Sequence, residues 1–156
     1  MAKRFVPKSR WVRYRDGKWI PTRKRVFLYR FKFLQQAELS DAYEVDWSKY
    51  QGWGGADAVL NMKFDDWWVE HWVDLFSTTD PLDKPRFDIS TERPKADAYK
   101  IRLDVYKLRH LPKGQIGERV QGIFEGQESY EMKLRVGRHM RAAEKHLSNV
   151  CKGVFP

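Results

Sequence analysis

The sequence predicts a mainly α-helical protein with two helical subdomains. Apolar residues recur every three to four positions in several long segments, as on helices that bury one face. Hydrophobic residues make up 42% of the 156 residues and aromatic residues 15%, which is sufficient for a packed core. We expect a basic, flexible arm at 1–22, an aromatic, acidic helical subdomain at 23–80, a linker at 81–94 and a second helical subdomain at 95–156.

Charge is sorted into three blocks along the chain. Residues 1–25 hold ten Lys and Arg against one acid, for a net charge of +9. Residues 26–92 carry −7 and residues 93–156 carry +7. Two basic blocks around an acidic centre predict a polyanionic partner that meets two separate surfaces, and nucleic acid is the leading candidate.

The arm combines basic residues with scattered aromatic ones. Asp16 and Gly17 predict a turn, and the segments before and after it can pair as a short hairpin. The aromatic side chains either stack on nucleic acid or fold back on the domain surface; the sequence leaves both open. The arm residues that we expect to contact phosphates are Lys3, Arg4, Lys8, Arg10, Arg13 and Arg15.

The segment 23–39 shows two periods at once. Its aromatic residues alternate as in a strand, whereas Phe27, Phe31 and Leu34 share one helical face. Good helix formers follow and lengthen the run beyond a typical strand, so we predict a helix. Residues 51–57, with three glycines, predict a loop, and the absence of a following Lys-Ser/Thr argues against a Walker-type phosphate cradle.

Residues 65–76 predict a helix with Asp65 at its N-cap. Phe64 and Val69 have the spacing of a hydrophobic staple across that cap. The tryptophans at helical spacing indicate core packing rather than a ligand cage. His71 has no second histidine at metal-ligand spacing, so the sequence predicts no metal here.

No catalytic motif or cofactor signature is visible in the sequence. Asp88, Glu92 and Lys95 are the nearest approach to a nuclease cluster, but Glu92 and Lys95 flank a proline rather than occupying one strand. We therefore expect a protein that is not an enzyme and needs no cofactor, with a nuclease as the least favoured alternative.

Three segments of the C-terminal third predict helices. At 96–109, Ala98, Ile101, Val105 and Leu108 form a stripe. Tyr99, Leu103 and Tyr106 widen it, and so broad an apolar face predicts packing neighbours on two sides. The turn at 112–114 closes this helix. A short helix follows at about 115–120. The longest helix is expected at 129–151, where Met132, Val136, Met140, Ala143, Leu147 and Val150 form the most regular stripe in the chain.

This order of helix, short helix, loop and longer basic helix is the layout of a helix-turn-helix. Donors on the last helix can reach guanine edges or phosphates while the apolar stripe faces the core. The connection at 122–128 is longer than the usual turn, so a small helical bundle with a solvated basic face stays open. The candidate contacts on this helix are Tyr130, Lys133, Arg135, Arg138, His139 and Arg141.

The stretch 93–120 followed by the basic helix at 129–150 resembles the helix-turn-helix region of small bacterial and bacteriophage DNA-binding proteins. The Trp-rich run at 65–76 is similar to helices in phage- or prophage-type proteins of this kind. The resemblance implies DNA binding in a transcriptional or mobile-element setting.

We therefore expect a DNA-binding protein, regulatory or phage-associated. The alternative is a phage structural protein or an inhibitor whose acidic, aromatic centre binds a host protein. The apolar seam of the last helix is buried either within one chain or in a homodimer. One cysteine, no apolar membrane span and no secretory signal predict a cytoplasmic, including nucleoid-associated, location in a bacterial or phage-infected cell.

Overall fold

The structure is a computed structural model that describes residues 11–13, 19–21, 24–79, 85–91, 94–120, 122–123 and 129–156. Helices account for most of this part of the chain, which confirms the mainly α prediction. They are α1 (Lys24–Leu39), a 3₁₀ helix (Trp47–Tyr50), α2 (Gly55–Asn61), α3 (Phe64–Phe76), α4 (Ala96–Lys107), α5 (Lys113–Arg119) and α6 (Ser129–Cys151).

Two short strands form an antiparallel hairpin before α1. Strand β1 (Trp11–Arg13) pairs with β2 (Trp19–Pro21), with Val12 opposite Ile20. The pairing agrees with the hairpin that Asp16 and Gly17 predict, although the turn itself lies outside the described residues. Strand β2 lies against α3.

Helix α1 is the centre of the fold. It contacts α2, α4 and α6, and its side chains are buried on more than one face. Phe27, Phe31 and Leu34 are buried as the helical period predicts, but Tyr29 and Phe33 are buried as well. Neighbours on several sides of α1 explain why this segment shows both a strand-like and a helical pattern. A helix that is covered on several sides also buries apolar residues outside one helical stripe.

The tryptophans of the acidic block belong to the core, as expected. Trp53 and Trp67 are fully buried, and the Trp67 indole N–H donates to the main-chain oxygen of Trp53 at 2.8 Å. Trp68 and Phe76 stack with their ring centroids 5.2 Å apart. These rings stabilise the interior. Leu39 and Val69 are the large apolar side chains of the block that the described structure leaves exposed.

Two predictions about the central helices are wrong. The N-cap of α3 is Lys63, not Asp65; Asp65 lies in the first turn, where its carboxylate accepts from Lys24 Nζ at 3.0 Å. Val69 is 72% exposed, so it forms no staple with Phe64.

The loop predicted at 51–57 is shorter than expected, because α2 begins at Gly55. Gly54, directly before this helix, lies in the left-handed region at φ 88°, which favours glycine.

The buried face of α4 is the broad one that the sequence predicts. Val105, Tyr99, Leu103 and Tyr106 are buried. The other members of the stripe, Ala98, Ile101 and Leu108, are only half-buried. Because α4 contacts both α1 and α6, the aromatic side chains between those two neighbours carry its packing.

The end of α4 and the start of α5 also differ from expectation. The turn at 112–114 does not close α4, which ends at Lys107; Lys113 begins α5. Helix α5 approaches α6 so closely at Gly117 that an added Cβ would lie 2.4 Å from Met132 Cγ. A second, smaller core lies beneath this contact and consists of Val105, Ile116, Val120, Ile123, Met132 and Val136.

Helix α6 has the predicted bounds, and its apolar seam is buried within the single chain against α1, α4 and α5. The larger core cluster contains residues from both 23–80 and 95–156, so the two expected subdomains share one core. Phe155 joins them: it is fully buried and contacts the rings of Phe33, Tyr99 and His146.

Candidate nucleic-acid interface

The solvent-facing side of α6 carries a row of arginines. Arg135, Arg138 and Arg141 are all exposed and follow one another at intervals of three residues. At 1.5 Å per residue the row extends about 9 Å along the helix axis. Because the opposite face of α6 is held in the core, these long donors project from a rigid support.

A second group of cations lies where α5 meets α6. Gly137 has no side chain, and a Cβ placed there would lie 3.4 Å from Lys113 Nζ and 3.6 Å from Arg141 Nη1. At Gly114 a Cβ would lie 3.7 Å from Lys133 Cε. Lysines from the α5–α6 seam thus extend the arginine row sideways. Sequence reasoning missed Lys113 because it assigned that residue to a turn.

These cations are free of acidic partners within the described chain. Ion pairs there join Lys24 with Asp65 and Arg25 with Asp97, both away from α6. Glu131 lies near the row and, with Leu134, Arg135 and Arg138, lines a surface depression. An arginine without a carboxylate partner keeps its donors available for phosphate oxygens.

Tyr130 and His139, the two candidates on α6 that are neither lysine nor arginine, differ in exposure. Tyr130 is 72% exposed at the start of α6 and can donate a hydrogen bond outward. His139 is half-buried, and burial, together with Arg102 and Arg135, lowers its pKa. His139 is therefore neutral at pH 7 and adds a donor or acceptor rather than a charge.

His146, the second histidine of α6, is buried. Arg102 Nη1 lies 2.8 Å from His146 Nε2, so the neutral ring accepts at Nε2 and holds its proton on Nδ1. Burial first, and then Arg102 and Lys145, lower the pKa of His146 to about 4. This histidine belongs to the core and not to the interface.

Most of the arm lies outside the described residues, including Lys3, Arg4, Lys8, Arg10 and Arg15. Arg13 is the last residue of β1, where the backbone alone is described. Since β2 lies against α3, the hairpin is supported by the acidic helix.

The acidic block exposes a polar face on α3. Asp66, Glu70 and Asp74 are exposed there, and Val69 is the one large apolar side chain of α3 that is exposed. Because the tryptophans are buried, any partner that binds this helix meets carboxylates and Val69 rather than aromatic rings.

The nuclease candidates do not form a metal site in the described part of the chain, where no three His, Cys, Asp or Glu residues come close enough to share an ion. The Asp88 carboxylate accepts from the Ile89 main-chain N–H at 2.8 Å. Glu92 lies outside the described residues.

No protein-family model matches the chain, and neither a curated protein nor a solved structure matches it. Among the helices that the structure describes, none is both long and apolar enough to cross a lipid bilayer.

Proposed function

We propose that the chain binds duplex DNA through the exposed face of α6. The observation that carries the proposal is a set of exposed cations on α6 and the start of α5 that have no carboxylate partner among the residues the structure describes. Its members are Lys113, Lys133, Arg135, Arg138 and Arg141. Protein surfaces usually intersperse both signs of charge, so an unpaired basic patch favours a polyanion.

In this proposal the arginine row makes the first contacts with the duplex. Arg135 and Arg138 bind phosphates or guanine edges, and Tyr130 donates to a phosphate at the start of the helix. The basic arm adds phosphate contacts, and the acidic face of α3 is directed away from the duplex by repulsion. The setting is regulatory or phage-associated, as the helix-turn-helix resemblance implies.

The test is fluorescence anisotropy with a labelled duplex over a series of salt concentrations. The logarithm of the binding constant should fall with the logarithm of salt by about 0.9 for each phosphate contacted, so the five cations together predict a slope near −4.5 before the arm is counted. Replacing Arg135 and Arg138 by Gln should weaken binding and flatten the slope by about 1.8.

A matched control removes the same charge elsewhere. The control variant carries Lys63→Gln and Lys100→Gln, which alter two exposed lysines, one at the N-cap of α3 and one on α4. This variant should keep most of the affinity. A flat salt dependence in the wild type, or equal losses in the two double variants, would contradict a specific role for α6.

A protein partner at α3 is the second candidate, and exposed Val69 among Asp66, Glu70 and Asp74 favours it. A photo-crosslinking residue at position 69 should then capture one protein in native host cells, whereas the same residue at position 100 should not. Identical products from both positions would count against this surface.

A further inference from the structure

Arg30 is a buried cation in the middle of α1. Its side chain is 1% exposed, and its guanidinium donates to the main-chain oxygens of Asp88 at 3.1 Å and Gly153 at 2.9 Å. The Nε–H has no hydrogen-bond partner among the described residues. The guanidinium carbon lies 5.6–5.8 Å from the ring centres of Tyr50, Trp53 and Phe87.

The charge of Arg30 is only partly compensated. Its hydrogen bonds go to carbonyl oxygens, and the nearby Asp88 carboxylate accepts from the Ile89 N–H instead of forming an ion pair with Arg30 in the described structure. Burial lowers the pKa of Arg30, which means that its surroundings disfavour the cation. Because arginine keeps its proton in proteins, that cost persists unless an anion approaches.

An open cavity of about 380 Å³ reaches Arg30 from the surface. Three further cations line it, namely Lys49, Arg86 and Lys152, and all three are exposed. Gln51 adds a neutral amide donor, whereas the Ser48 hydroxyl donates to Asp46 Oδ1 at 2.5 Å. Asp88 is the acid among the described lining residues. The described lining thus carries four cations and one carboxylate.

Two glycines hold the rim cations in place. At Gly153, with φ 82°, a Cβ would lie 2.8 Å from Lys49 Cβ, so the lysine stem rests directly on the glycine. At Gly52, with φ 91°, a Cβ would lie 3.0 Å from Arg86 Nη1. A side chain at either position would displace a cation, and both backbones adopt the left-handed region that favours glycine.

We propose that this cavity binds a small molecule bearing phosphate groups. Four cations around one cavity, with the Gln51 amide as a neutral donor, suit the many oxygens of a phosphate. A bound dianion would offset the excess positive charge around Arg30. The site is separate from the proposed DNA surface, since Lys152 lies just after α6 and follows Arg141, the last cation of that surface, by eleven residues, about 16 Å along the helix axis.

Pyrophosphate is the probe for the test, with the full chain at constant ionic strength. Isothermal titration calorimetry should give saturable binding, and thermal unfolding should shift upward with pyrophosphate concentration relative to matched sodium chloride. Replacing Lys49 and Lys152 by Gln should weaken binding at least tenfold. The Lys63→Gln, Lys100→Gln variant should bind pyrophosphate like the wild type.

Further ligands define the class that the cavity recognises. Tighter binding of a nucleoside diphosphate than of pyrophosphate would assign the natural ligand to nucleotides, and equal binding would assign it to phosphate groups alone. Malonate that binds as tightly as pyrophosphate would overturn the phosphate assignment.

The proposed site itself would be wrong if pyrophosphate did not bind, or if the Lys49→Gln, Lys152→Gln variant bound pyrophosphate as tightly as the wild type. Duplex affinity should be unchanged in that variant, which separates this test from that of the DNA proposal.

Discussion

The close approach of α5 to α6 makes Gly117 sensitive to one added methyl group. In Gly117→Ala the new Cβ would lie 2.4 Å from Met132 Cγ and 2.5 Å from its Sδ, whereas carbon atoms in contact are normally about 3.5–4.0 Å apart. Met132 is 3% exposed, so the overlap is relieved only if the helices separate by roughly 1 Å.

The cost follows from two opposing effects. Overpacking of a filled core costs about 1–3 kcal/mol, and alanine gains up to about 1 kcal/mol over glycine within a helix. We expect Gly117→Ala to lower the free energy of unfolding by about 1–2 kcal/mol in urea titrations followed by circular dichroism. For a chain of this size that corresponds to a fall in Tm of about 2–8 °C.

Gly114→Ala is the matched control in the same helix. Its Cβ would lie 3.7 Å from Lys133 Cε, which is an ordinary contact, so no loss of stability is expected. Combining Gly117→Ala with Met132→Ala should cost less than the sum of the single changes, because the smaller side chain removes the overlap. Strict additivity, or a Gly117→Ala protein as stable as Gly114→Ala, would refute the reasoning.

Two further predictions concern buried basic side chains. The pKa of His146 is lowered to about 4, so this residue contributes stability that is complete above pH 6.5 and is lost as pH falls toward 4, because protonation would place a charge in a buried site beside Arg102. The free energy of unfolding, measured in urea, should fall between pH 7.5 and pH 4.5, and His146→Gln should make that fall smaller by up to about 3 kcal/mol. A fall of the same size in the variant and the wild type would contradict this role of His146. Arg30→Lys should lower the free energy of unfolding by about 2–4 kcal/mol, since one ammonium cannot reach the carbonyls of both Asp88 and Gly153. If the variant unfolded at the same urea concentration as the wild type, this role of Arg30 would be wrong.

The sequence predicts the long helices well where one stripe determines the burial. The seam from Met132 to Val150 gives the bounds of α6 without error, because three- and four-residue steps fit one helical face and no other element. The arginine row follows from the same period, since residues opposite a buried seam must face solvent. Its exposure was therefore predictable, whereas its function stays a proposal.

Tertiary contacts override local pattern where helices meet several neighbours. The broad apolar face of α4 predicts two packing neighbours, but short-range spacing does not identify them as α1 and α6. Helix α3 begins at Phe64, one residue before Asp65. Lys63 therefore occupies the N-cap position, although aspartate is the residue type that favours it. Helix α2 is too short, and too rich in glycine at its start, for periodicity to reveal it.

The cation-lined cavity lies beyond any local pattern. Arg30, Lys49, Arg86 and Lys152 come from four separate segments, and only the fold brings them together. A Walker-type motif is absent from the glycine-rich loop, yet Gly52 in that loop supports Arg86 at the cavity rim. In the sequence, Arg30 is one basic residue of an apolar helix, and its burial depends on where α1 lies in the fold.

The three charge blocks therefore do not predict local potential. The block with a net charge of −7 supplies three of the four cavity cations, while several of its acids face solvent on α3. Because salt limits the reach of an exposed charge to about 8 Å under physiological conditions, a ligand in the cavity responds to the groups that line it rather than to the block total. The same screening lets a basic helix and an acidic helix coexist in one small fold, each acting on what lies directly against it.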